Sequence, residues 1–113
     1  MSAAGMIRVV LVTAPNEEAG EFLARELVQE RLAACGNVIP GLVSVYWWEG
    51  AVERDDEVLV LLKTTEERVE DLIERAKELH SYDVPELLAL PVIAGDGEYA
   101  QWVADETTAA RED

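Results

Sequence analysis

Glu49-Gly50 is a turn signal between two long strand-like runs, and that hairpin sets most of the limits on what this chain can fold into. The first run opens at Val38 and becomes rich in β-branched and aromatic residues over Leu42–Trp48, with Pro40-Gly41 as a bend or bulge suited to a sheet edge. The second, Ala51–Thr64, is polar at first and apolar over Val58–Leu62. Both exceed the usual strand of about five or six residues. The turn end carries Trp47 and Trp48 beside Glu49, Glu53, Asp55, Asp56 and Glu57. Such an arm has no core of its own to lie on, so it is expected to pack on something, most simply another copy of the chain.

The flanks of the hairpin complete the pattern. Ile7–Thr13 is a β-rich apolar run ended by Pro15-Asn16. Asn16 is placed to cap a helix whose stripe is Ala19, Leu23, Ala24, Leu27 and Val28, with Glu21 and Arg25 paired on the wet side. That helix is expected to stop near Ala34, with Gly36 as terminator. After the hairpin, Thr64 and Glu67 have capping-box spacing. Val69, Leu72, Ile73, Ala76 and Leu79 then mark the clearest helix in the sequence. Glu86–Ile93 reads as a fourth strand, which Pro91 confines to an edge. Gly95 and Gly97 turn the chain into a short helix over Tyr99–Glu106, with Tyr99, Trp102 and Val103 on one side. The order βαββαβ plus a short C-terminal helix is a split βαβ, an α+β fold with helices on one face of an antiparallel sheet.

With 113 residues the chain fits one domain, divided here as a loose leader over 1–6, the domain over 7–106 and a frayed tail over 107–113. The leader lacks the basic and apolar regions of a signal peptide, and Met6 is an alternative start. No apolar run approaches the roughly 20 residues that span a bilayer, so no membrane partner is expected. Twenty-four acidic against nine basic residues give a net charge of −15. Binding nucleic acid depends on neutralising phosphates, so that partner is excluded. Glu66, Glu70, Glu74 and Glu78 stack along one helix face as a solvated row, which fits a high-salt environment where their repulsion is screened. Cys35 is the single cysteine; it reads as a small buried hydrophobe, and no internal disulfide can form.

Two segments go beyond a generic fold. One is Glu30-Arg-Leu-Ala-Ala-Cys-Gly-Asn-Val-Ile-Pro-Gly41 running through Ser44-Val-Tyr-Trp-Trp-Glu-Gly50, and the other is His80-Ser-Tyr-Asp-Val-Pro-Glu-Leu-Leu-Ala-Leu-Pro91, with Leu62-Lys-Thr-Thr65 between them. Together they resemble the CutA family of divalent-cation tolerance proteins from Ile7 to about Glu106. The resemblance implies a ferredoxin-like fold akin to the PII signalling proteins, a homotrimer built through the long strands, a cytoplasmic location, and a link to copper and other divalent metals. It also implies a copper site at positions that fall here on Val12, Leu79 and His80, of which His80 alone is a metal-binding residue type. No cofactor is therefore required, and Cu2+ or another divalent cation is expected to bind weakly. His80 is equally a helix-end residue hydrogen-bonded to backbone or carboxylate.

A further set consists of Tyr46, Trp47, Trp48, Glu49, Lys63, His80, Tyr82 and Glu86. In a trimer, the hairpin tip of one subunit reaching the His80–Glu86 loop of its neighbour makes an intersubunit pocket from Trp48, Glu49, Lys63, His80, Tyr82 and Glu86, sized for a small molecule. Aromatics that simply weld the trimer are the plainer reading of the same residues. No nucleophile–base pair or paired-carboxylate pattern is visible, so no enzyme is expected. Three functions follow: a trimeric protein of divalent-metal tolerance, a PII-like small-ligand sensor, and a structural trimer serving a protein partner.

Overall fold

The computed structural model describes residues 3–108. Four strands, β1 (Ile7–Ala14), β2 (Cys35–Trp48), β3 (Ala51–Thr65) and β4 (Leu87–Pro91), form one antiparallel sheet in the order β2-β3-β1-β4. Helices α1 (Glu17–Gln29) and α2 (Val69–Leu79) cover one face. Between them and the sheet lies the main core, where Val10, Val12, Val60 and Leu62 meet Leu23, Leu27, Leu72 and Ala76. The expected ferredoxin-like βαββαβ order and the helical stripes are present. Asn16 caps α1, its Oδ1 accepting the Ala19 N–H at 2.8 Å.

Several boundaries moved, each for a local reason. Helix α1 stops five residues before Ala34 because Arg31 adopts a left-handed conformation at φ 64°. The Arg31 N–H then donates to Val28 O and the Leu32 N–H to Leu27 O, the paired bonds of a Schellman cap. Gly36 terminates nothing. It lies in β2, and a Cβ there would stand 2.9 Å from both Ala24 Cβ and Leu62 Cδ2, so it lets α1 approach the sheet closely. The capping box does not form: Thr64 stays in β3, and its buried hydroxyl donates to Leu32 O at 2.7 Å. A 3-10 turn over Glu66–Arg68 leads into α2 instead. Strand β4 is shorter than Glu86–Ile93; it is an edge strand paired with β1 alone, as Pro91 requires.

The ends are better tied than the sequence suggested. Ala3–Met6 forms a 3-10 turn rather than a loose leader, burying Ala4 against Ile7, Ala34, Ala100 and Val103. Helix α3 (Gly97–Glu106) is capped by Asp96 and buries Ala100 and Val103, leaving Tyr99 and Trp102 half-exposed. Thr107 is buried, with its hydroxyl donating to Val103 O, so the frayed tail does not begin there. Residues 109–113 lie outside the described residues.

Strands β2 and β3 run past the helices as the expected arm. Glu49 and Gly50 both have positive φ, the pattern of a type I′ turn. Pairing slips by one residue between Ile39 and Leu42, opposite Leu59 and Glu57, which is the anticipated bulge at Pro40-Gly41.

Candidate functional site

The bulge decides which side chains share a face. Before it, odd-numbered β2 residues oppose odd-numbered β3 residues (Ile39 with Leu59); after it, even oppose odd (Ser44 with Asp55, Tyr46 with Glu53, Trp48 with Ala51). Ser44, Tyr46 and Trp48 are thereby turned to the same side as Asp55 and Glu57. The loop between α2 and β4 passes that side, and the two enclose a cleft of about 550 Å³. Tyr46 and Trp48 from β2, Asp55 and Glu57 from β3, and Tyr82, Asp83 and Glu86 from the loop line it, with Thr13, Ser44, Val45 and Val84. Its volume falls in the range of small-molecule sites.

Hydrogen bonds fix the tyrosines on the arm. The Tyr46 hydroxyl donates to Asp55 Oδ2, and chiefly this bond pushes the phenol pKa up to about 12. The Tyr82 hydroxyl donates to Glu57 Oε2 at 2.6 Å, tying the loop to β3. Burial and then the Glu57 bond raise the Tyr82 phenol well above its ordinary value. His80 sits beneath this contact: its Nε2 is 2.7 Å from Thr13 O, and the Tyr82 N–H donates to Nδ1 at 3.0 Å. The two bonds together select the tautomer with hydrogen on Nε2. The imidazole ring also leans on Tyr82, with centroids 4.6 Å apart.

Of the pocket residues read from the sequence, Trp48, Tyr82 and Glu86 line this cleft within one chain. His80 supports it from behind, and Glu49 forms the turn beyond Trp48. Lys63 is elsewhere within the chain. It lies six residues along β3 from Glu57, about 20 Å at strand spacing, opposite Cys35 and Val9, and its Nζ donates to Asn37 Oδ1. Trp47 points away from the cleft side of the arm and is 74% exposed. Sequence reasoning missed Asp55, Glu57 and Asp83 as lining groups. The two-residue spacing of Asp55 and Glu57 was the available signal, but using it needed the bulge register.

The three positions that the resemblance implies as copper ligands do not come together as a set of donors. Val12 is buried in the core, Leu79 is partly buried against it, and both nitrogens of His80 are already engaged. Among the described residues, no three His, Cys, Asp or Glu groups come together as ligands for one ion. Cys35 is not fully buried as expected; its Sγ lies 3.4 Å from the Tyr99 hydroxyl, which chiefly for that reason has its pKa raised to about 12. The row of glutamates is partly neutralised: Glu66 pairs with Arg8 at 3.3 Å and Glu78 with Arg75 at 3.0 Å. Among the described residues no helix is long and apolar enough to cross a membrane.

The split βαβ order on one antiparallel sheet makes this a ferredoxin-like domain, extended by the β2–β3 arm. The sequence model of the family described as CutA1 divalent ion tolerance protein matches residues 8–106, and the chain belongs to that family. It is 50% identical over 102 residues to the divalent-cation tolerance protein CutA of Thermus thermophilus, covering 90% of this chain and 99% of that one. The chloroplastic protein CutA 1 of Oryza sativa is also 50% identical, over 99 residues; this chain is covered to 88% but spans 56% of the rice protein's length. The solved Thermus structure superposes with a TM-score of 0.88, covering 91% of this chain and 100% of that one. The structure described as the periplasmic divalent cation tolerance protein CutA of Archaeoglobus fulgidus has a TM-score of 0.88 at 33% identity, covering 91% of this chain and all of that one.

Proposed function

We propose that this chain acts in divalent-metal tolerance as a cytoplasmic, non-enzymatic homotrimer, holding divalent cations weakly rather than in a tight copper site. The observation that carries the assembly is the uncovered apolar surface. On the face of the sheet turned away from α1 and α2, Leu88 is 56% and Leu90 45% exposed beyond the end that α3 covers, and on the arm Val45 is 67% exposed. A second and third copy laid on these surfaces would remove them from water, at about 25 cal/mol for each Å² of apolar surface buried. The number three follows the family resemblance.

The weak-metal part rests on His80, whose two nitrogens already serve Thr13 and Tyr82. Calorimetric titration with Cu2+ is expected to give shallow heats that fade as salt is raised, as for cations drawn to an acidic surface, and His80→Ala is expected to leave them unchanged. Tight binding that survives salt and is lost in His80→Ala would overturn this reading.

The cleft supports a second reading, a PII-like sensor of a small molecule, with any neighbouring subunit completing the site. A thermal-shift screen is expected to find a ligand whose shift Trp48→Ala removes. No shift across a broad metabolite set would leave the trimer as a scaffold for a protein partner.

A further inference from the structure

We propose that the cleft beneath the arm binds an elongated organic cation, a small molecule carrying two or more alkylammonium groups, between the rings of Tyr46, Trp48 and Tyr82. The inference deepens the small-ligand reading of the cleft by naming the ligand class.

Three observations carry it. First, the cleft has carboxylates on two walls and no lysine or arginine among its lining residues: Asp55 and Glu57 stand on β3, Asp83 and Glu86 on the facing loop. Asp55 and Glu57 each receive a phenol hydrogen bond, which leaves their charge in place. Opposed anionic walls in a chain of net charge −15 repel one another and favour a cationic occupant.

Second, the surfaces between those carboxylates are aromatic. A ring face attracts an ammonium group, and the attraction grows as water is excluded. Trp48 is the strongest such group here and keeps about half its surface exposed. The tyrosine hydroxyls are occupied by Asp55 and Glu57, so these rings are held in place before a ligand arrives.

Third, the carboxylates do not converge. No three acidic, His or Cys side chains among the described residues gather closely enough to share one metal ion. A compact divalent cation therefore meets too few ligands, for it needs about six oxygens around one point. Charges spread along a flexible chain can satisfy separated walls, with the intervening methylenes lying on the rings.

The test is calorimetric titration of the full chain with spermidine at about physiological salt, where the screening length is about 8 Å. Saturable binding at one site per chain is expected, weakened about tenfold in Trp48→Ala and in the pair Asp83→Asn and Glu86→Gln. Glu70→Gln with Glu74→Gln removes the same charge from the far helix and is expected to bind as wild type. Absence of saturable binding, equal loss in the helix variant, or full affinity in Trp48→Ala would overturn the proposal. A neutral or anionic metabolite bound in a Trp48-dependent way, without spermidine binding, would overturn the cation class yet leave the cleft a ligand site. Light scattering on the same samples separates this from the assembly: saturable spermidine binding at a single-chain mass would sink the trimer and leave the cleft proposal standing.

Discussion

The two ends of the β2–β3 pair share one ladder of backbone hydrogen bonds and almost nothing else. At the root, Val58, Val60, Leu62 and Thr64 are buried on alternate positions of β3 beneath α1 and α2. Along the arm, Ala51–Asp56 are exposed on both faces, and so are Tyr46, Trp47 and Trp48 opposite them. The root is held by its own core. The arm has a favourable turn and a bulge, but a two-stranded hairpin alone is marginal in water. Backbone pairing therefore gives the arm its shape, while its purpose, by our two proposals, lies in what it meets: other copies of the chain and a ligand in the acidic cleft.

The contrast can be broken most severely at the root. Leu62→Ala opens a cavity at a fully buried position and is expected to cost about 2–5 kcal/mol in urea unfolding. Gly36→Ala forces a methyl between Ala24 and Leu62 and is expected to cost about 1–3 kcal/mol, measured the same way. On the arm, Trp47→Ser should change the stability of the separated chain by no more than about 0.5 kcal/mol, because that side chain is mostly in water. The same variant is expected to dissociate at higher protein concentration than wild type, seen by sedimentation.

The smallest effect is a pH signature. Tyr46 has its pKa raised to about 12 against an ordinary value of about 10, so the favourable contribution of its bond to Asp55 is complete below the lower value. It is lost as pH rises through the higher one. Ultraviolet titration of the phenols should place Tyr46 ionisation near the higher value, and Asp55→Asn should bring it down.

Much of the fold was legible because short β-rich apolar runs in β1 and β3 and the helical stripe of α2 are visible without any partner. What failed depended on distant contacts. Gly36 looked like a helix stop, but it answers to Ala24 and Leu62 across the core. Thr64 looked like a cap, yet its hydroxyl serves Leu32 O, 32 residues away in sequence. The cleft was half legible: Trp48, Tyr82 and Glu86 could be singled out by type, whereas Asp55 and Glu57 depend on a one-residue slip in register. Lys63 was grouped with the pocket residues, but six strand residues separate it from Glu57 within the chain.

The central claim, that the arm and the sheet face turned away from α1 and α2 are built for other copies of the chain, is tested most directly by multi-angle light scattering of the purified protein across a dilution series. A mass of three chains that persists into dilute solution, and falls in Trp47→Ser, is the predicted result. A single-chain mass at every concentration would contradict it.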